Sequence, residues 1–222
     1  MGAWDQAFTA RARTPHTTPR ARSAKQVGEL SDYSLGPEHY LVSLSGLPFG
    51  VPGQMLSGKL YKNINWFYRG LLFGMTDRAG WRNNDVTMLK ALWALWDDFG
   101  IVHSEMTGFW SGDAAVVRVD APRGAAGDLV RATAFTRPGR GMIVVVASWA
   151  AEQRQVSLAV DWSRLGVRTK QAALDVPNIP SLQTKGSAPR PVLDAHGKIT
   201  LTLRPGAGLL FVLRNKDRGQ RD

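Results

Sequence analysis

From Gly112 onward the sequence abandons helical spacing. Strand-like runs occupy 114–119, 129–137, 142–149, 155–162, 170–176, 198–204 and 208–214. In one of them Ile199, Leu201 and Leu203 alternate with Thr200, Thr202 and Arg204, and Val156, Leu158 and Val160 repeat the same period. Alternate residues of a strand face opposite sides, so this pattern marks a sheet with one wet face. Arg137-Pro138-Gly139-Arg140-Gly141 and Asp194-Ala195-His196-Gly197 carry turn chemistry between strands. Seven short strands at this spacing predict an antiparallel sandwich over 113–214.

The stretch before it reads differently. Tyr40-Leu41-Val42-Ser43-Leu44 is an apolar run that ends in a loop rich in Gly and Pro, Ser45 to Gly53, and reads as a buried strand. Trp66 to Met75 reads as a buried segment or second strand. Residues 85–99 predict a helix, with Asn84 or Asp85 as its cap. Leu89, Leu92, Trp93, Trp96 and Phe99 recur at steps of three and four and share one face. Gly100 stops it, because glycine enters the left-handed region without a Cβ penalty. Ile101 to Met106 then reads as a strand, giving the αβ half of a βαβ unit. The 84 residues of 29–112 supply two or three such units, whereas a closed (β/α)8 barrel takes about 250 residues. An open parallel sheet would leave unpaired backbone groups at its edges. The expected fold is therefore α/β followed by all-β: a partial (β/α) barrel remnant, 29–112, packed on the antiparallel β-sandwich. That arrangement implies a missing N-terminal barrel portion or an oligomer partner.

Four segments, in order, carry a family resemblance: Tyr40-Leu41-Val42-Ser43-Leu44-Ser45-Gly46-Leu47-Pro48-Phe49-Gly50, Tyr68-Arg69-Gly70-Leu71-Leu72-Phe73-Gly74-Met75-Thr76-Asp77-Arg78, Leu95-Trp96-Asp97-Asp98-Phe99-Gly100-Ile101 and Glu105-Met106-Thr107-Gly108-Phe109-Trp110. Val144-Val145, Ala147-Ser148-Trp149 and Val160-Asp161-Trp162-Ser163-Arg164-Leu165-Gly166 extend it. Over about 35–214 the chain resembles the C-terminal part of glycoside-hydrolase-like proteins related to glycoside hydrolase family 123. The resemblance implies a (β/α)8 catalytic domain followed by a C-terminal β-sandwich. It also implies cleavage of N-acetylgalactosaminides assisted by the substrate's acetamido group, with an adjacent Asp-Glu pair on a middle barrel strand. No adjacent Asp-Glu pair occurs here; the sole adjacent acidic pair is Asp97-Asp98, at a helix end. The expectation is a C-terminal fragment whose sandwich stabilises a barrel and has no catalysis of its own.

Candidate site residues are Glu105 and Asp77 as carboxylates, Trp110 as a stacking surface and Arg78 as a donor to sugar hydroxyls. Glycoside hydrolysis usually pairs two carboxyls, so Asp77 and Glu105 would act together only if their loops converge. The favoured alternative is a salt bridge or cap that holds loops together. Asp97 and Asp98 oppose the helix dipole, so a local Lys or Arg partner or a packing role is expected. Trp93 and Trp96 are expected in the core, and Trp149 and Trp162 at strand ends as packing residues. His39 and His103 have no partner at metal-ligand spacing, and H-E-x-x-H is absent. Gly-x-Ser-x-Gly, Gly-x-Gly-x-x-Gly and the Walker A pattern are also absent. No cofactor or metal is expected.

The net charge of +10 is carried unevenly. Residues 1–28 hold +4 and 214–222 hold +2, leaving +4 for 29–213. The segments 1–28 and 215–222 read as disordered basic tails, and the first is compatible with an organelle transit peptide. Such tails attract polyanions without a dedicated site, but no basic face interleaved with aromatics accompanies them, which argues against a nucleic-acid partner. A basic nucleic-acid-associated protein is thus the third reading, after a carbohydrate-binding or interaction module binding a saccharide. No apolar run approaches the ~18 residues of a membrane span, and with no cysteine the chain forms no disulfide and offers no thiol nucleophile.

Overall fold

The computed structural model describes residues 54–55, 65–74, 76–77, 86–120, 129–184, 186 and 188–216. The strand expected at Tyr40–Leu44, its Gly/Pro loop, the caps Asn84 and Asp85, the tail 1–28 and residues 217–222 lie outside the described residues, while Asn215, assigned by the sequence to the C-terminal tail, ends β11.

Two antiparallel sheets make the sandwich. The strands are β1 (Gln54–Met55), β2 (Thr76–Asp77), β3 (Glu105–Thr107), β4 (Val117–Val119), β5 (Val130–Arg137), β6 (Gly141–Ser148), β7 (Arg154–Val160), β8 (Ala172–Asp175), β9 (Val192–Leu193), β10 (Ile199–Leu203) and β11 (Gly208–Asn215). One sheet has five strands in the order β3-β5-β6-β11-β8, the other four in the order β4-β7-β10-β9. Helix α1 is Asn65–Leu71, α2 is Val86–Phe99 and α3 is the single turn Trp162–Leu165. β1 and β2 pair in parallel on either side of α1 in sequence, Gln54 opposite Thr76 and Met55 opposite Asp77.

The central strands of the five-stranded sheet are covered on both faces. Every residue of β6 is buried. Met142, Val144 and Val146 face the second sheet with Leu209, Phe211 and Leu213 of β11. Ile143, Val145 and Ala147 face the opposite way with Leu210 and Val212, against Phe67, Leu71, Leu72, Leu89 and Leu92 of the helices. A strand covered on both sides gains nothing from polar alternation, so Met142 to Ala147 reads as one continuous apolar run. The outer sheet has one solvated face, and there β10 keeps its alternation, with Ile199, Leu201 and Leu203 buried. The described residues thus form three layers: helices, inner sheet, outer sheet.

Several expectations change at the junction with the helices. Of the two readings of the run beginning at Trp66, the buried segment holds and the strand does not: Asn65–Leu71 is helical and Phe67, Tyr68, Leu71 and Leu72 are buried. Helix α2 ends as expected at Gly100, with φ 69°. The strand expected at Ile101 to Met106 is displaced, because Ile101–His103 forms a 3-10 turn and the strand is Glu105–Thr107. That strand pairs antiparallel with β5, so it is an edge of the sandwich and not the parallel β of a βαβ unit. Trp93 also departs from expectation. It is 37% exposed, whereas Met88, Leu89, Leu92 and Phe99 form the buried stripe and Trp96 packs at its margin.

The expected turns are present. Arg140 N–H donates to the Arg137 carbonyl at 2.9 Å across Pro138-Gly139, with Gly139 at φ 74°. Proline at the second position and a left-handed glycine at the third are the signature of a type II turn. At the other turn the Asp194 carboxylate accepts from His196 N–H at 2.8 Å and Lys198 N–H at 2.9 Å. These backbone donors hold the Asp194 carboxyl below the usual carboxylate range.

Candidate functional site

Glu105 opens β3, opposite Thr136 of β5. Its carboxylate accepts from Arg164 Nη2 at 3.1 Å. Arg164 also donates to the Ala114 carbonyl, so one guanidinium joins β3, the segment before β4 and the turn of α3. Asp161 positions that turn. Its Oδ1 accepts from Ser163 N–H at 3.1 Å, Ser163 Oγ at 2.5 Å and Arg164 N–H at 3.3 Å. The Ser163 hydroxyl first, then these N–H groups, lower the Asp161 carboxyl from its ordinary value. Trp162, expected at a strand end, instead starts α3 and donates its indole N–H to the Gly197 carbonyl at 3.0 Å.

Beside β3 stands an aromatic group. Phe73 and Trp110 stack with centroids 5.3 Å apart and planes 2° apart. Phe109 meets both edge-on, at 5.0 Å from Trp110 and 5.9 Å from Phe73. Arg131 lies over Phe109 at 5.4 Å. Trp110 stays 40% exposed and Met106 37%. Trp110 crosses Gly108 so closely that a Cβ there would overlap the far edge of its ring and displace the indole.

Three of the four candidate residues are described, and they lie on different elements. Glu105 and Trp110 sit on or just after the same edge strand. Asp77 is placed by its backbone on β2, opposite Met55, and Arg78 lies outside the described residues. Glu105 is exposed and held by a cation, unlike the buried or carboxylate-flanked setting that a general acid uses. Asp98 has the basic partner its position demanded: Arg214 of β11 reaches it at 2.6 Å. Arg137 donates to the Phe99 carbonyl at 2.6 Å, placing positive charge at the carbonyl end of α2.

The chain matches a family model described as the glycoside hydrolase 123 C-terminal domain over residues 89–214, more than half its length. This chain belongs to the glycoside hydrolase 123 C-terminal domain family. No curated protein and no solved structure matches it significantly. The match runs from within α2 to the penultimate residue of β11, and it contains Glu105, Trp110 and both sheets of the sandwich. In this glycoside hydrolase 123 C-terminal domain the described residues hold no group of three His, Asp or Glu placed to bind a metal.

The sequence reading missed a buried polar cluster where the helices meet the inner sheet. Gln183 Oε1 accepts from Leu210 N–H at 3.0 Å, and its Nε2 donates to the Leu210 carbonyl at 2.8 Å and the Pro177 carbonyl at 2.9 Å. β8 ends opposite Val212, leaving Leu210 without a strand on that side. The glutamine amide supplies the donor and acceptor a strand would have provided. The Tyr68 hydroxyl lies 3.1 Å from both Gln183 Oε1 and the Leu182 carbonyl. Burial pushes this phenol well above its ordinary range, so it remains a neutral donor. Arg69, also buried, donates to the Ser148 carbonyl at 3.2 Å and stacks on Trp149 at 4.7 Å. The one sequence signal was Tyr68-Arg69, two polar-tipped residues inside an apolar run.

Proposed function

We propose that this domain is a non-catalytic scaffold in a glycoside-hydrolase-like protein, seating the α/β elements that precede it and supporting a catalytic barrel it does not itself supply. The observation that carries this reading is the double burial of the central strands of the five-stranded sheet. One face closes the sandwich, and the other receives α1 and α2 through Ile143, Val145, Leu210 and Val212. The parallel pairing of β1 with β2 around α1 is the connectivity of a βα unit, which supports a remnant of barrel architecture on that face. The engagement of Glu105 by Arg164 supports a structural role for the most prominent carboxylate. The test is hydrolysis of an aryl N-acetylgalactosaminide. The chain alone should be inactive. A fusion to a barrel domain from a family 123 enzyme should be active, and Glu105→Gln should leave that activity intact. Hydrolysis by the isolated chain that disappears in Glu105→Gln would overturn the proposal.

A second reading, a saccharide-binding module, is favoured by the 40% exposure of Trp110 at the rim of the aromatic group. Apolar sugar faces stack on such rings. It predicts glycan binding that survives Glu105→Gln and is lost in Trp110→Ala. Flat calorimetric titrations across a glycan panel would exclude it.

A further inference from the structure

We infer that the segment 176–184 is a latched strap over an open edge of the inner sheet, and that what it keeps out is β11 of a second copy of this chain. β8 runs beside β11 only from Ala172 to Asp175, opposite Asn215 to Val212. Carried two residues further, the same register would set Pro177 opposite Leu210. Proline has no N–H to return to the Leu210 carbonyl, and such a residue ends pairing at a sheet edge. The chain leaves the sheet here, and Gly208 to Phe211 have no strand on that side among the described residues.

The strap turns back on itself. Ile179 and Gln183 exchange both of their backbone hydrogen bonds, each at 2.9 Å. At the corner Leu182 N–H donates to the Ile179 carbonyl at 3.1 Å across Pro180-Ser181, with Ser181 at φ 63°. That third position of the turn ordinarily takes glycine, and a serine stays in it only where the surroundings hold it. Ile179 and Leu182, 1% and 8% exposed, bury themselves in the same apolar cluster as Leu210 and Val212. The Gln183 amide is the latch. It joins Pro177 to Leu210 through the bonds already described and meets the Tyr68 hydroxyl at 3.1 Å.

The edge beneath the strap suits a copy of itself. β11 reads Gly208-Leu209-Leu210-Phe211-Val212-Leu213, with no charge and no proline, a window of the kind that stacks strand on strand. Leu209 and Phe211 face the outer sheet, and Leu210 faces the helices. A strand added beside Leu210 must therefore be apolar on both sides and bring one N–H and one carbonyl, which β11 of a second copy does. Open sheet edges recruit such strands unless they are covered. The Gln183 amide offers the same two groups from a side chain, so it satisfies Leu210 yet cannot propagate a ladder.

The test compares the full chain with Gln183→Met, which keeps the length of the side chain and removes the amide. Exchange of the Leu210 amide hydrogen, followed by NMR, should be about tenfold faster in the variant, the factor for loss of one buried hydrogen bond. Light scattering across a concentration series should show the variant's mass rising more steeply than the parent's, and the Leu210 amide should regain protection in the associated species. Leu158→Ala is the control, because Leu158 is buried in the sandwich core away from the strap. Compared at temperatures that give equal native fractions, it should not associate as Gln183→Met does. If Gln183→Met does not fold, Tyr68→Phe, which removes the hydroxyl shared by Gln183 and Leu182, carries the comparison. Unchanged exchange at Leu210, a mass that does not rise in the folded variant, an associated species with Leu210 still exchanging freely, or equal association by Leu158→Ala would each overturn the proposal.

Discussion

Gln183 holds both hydrogen-bonding groups of Leu210, at 3.0 Å to its N–H and 2.8 Å to its carbonyl, in place of a neighbouring strand. Both groups are buried where α1 meets the inner sheet, so removing the amide strands them without water. Gln183→Ala should therefore destabilise the fold by about 2–4 kcal/mol, the cost of leaving two buried backbone groups unsatisfied. Urea unfolding with unchanged slope measures this. A loss under about 0.5 kcal/mol, the range of an ordinary surface substitution, would show that another group replaces the amide.

The contact of α1 with β11 depends on Gly208. A Cβ at that position would overlap the Tyr68 ring near its root, where the side chain cannot swing away. Gly208→Ala should lower stability by about 1–3 kcal/mol through overpacking. Tyr68→Ala in the same background should recover part of that loss relative to Tyr68→Ala alone, as a double-mutant cycle would reveal. An additive result would mean the clash is relieved by backbone movement.

Glu105 and Arg164 form an exposed pair, with side-chain exposures of 63% and 36%. Exposed pairs contribute at most about 1 kcal/mol. Glu105→Gln should thus shift the melting temperature by no more than a few degrees, and the shift should shrink in high salt. A larger, salt-insensitive loss would mark Glu105 as a buried structural anchor.

Acid should weaken the sandwich through Asp161 and Asp194. Both carboxyls are lowered in the folded state, chiefly by Ser163 Oγ at Asp161 and by Lys198 N–H at Asp194. A lowered folded value stabilises the native state above the unfolded value, and that contribution disappears as pH falls through the folded one. The loss should begin below roughly pH 4, where an unperturbed aspartate titrates. Asp161→Asn still caps α3 but cannot titrate, so its melting temperature should fall less steeply with acid than the parent's. Parallel curves for the two proteins would remove Asp161 from the explanation.

The sandwich was legible because its signals are local. Alternation at Ile199, Leu201 and Leu203 and the Pro138-Gly139 turn depend only on near neighbours, and both appear where expected. The helix at 85–99 was legible for the same reason, down to its stop at Gly100. Trp66 to Met75 reads equally as a buried segment or a strand, because a short and mostly apolar run carries no period that distinguishes strand from helix. The shift at Ile101 to Met106 has a similar origin. Its residues suit a strand, but pairing with β5 begins only at Glu105, so the preceding three close a 3-10 turn. Of the candidate site, the need of Asp98 for a cation was legible from the helix dipole, but its partner Arg214 lies 116 positions away.

Periodicity and turn chemistry sufficed for the antiparallel sandwich and the position of α2, since each is written in residues a few places apart, while the family was legible only through the resemblance of its motifs. Which edge β3 occupies, that the inner sheet is covered on both faces, that Gln183 stands in for a strand at Leu210 and that Arg164 neutralises Glu105 emerged from the folded chain alone. Those are pairings between distant segments. Local spacing carries no information about which remote partner satisfies a buried N–H or an unpaired charge.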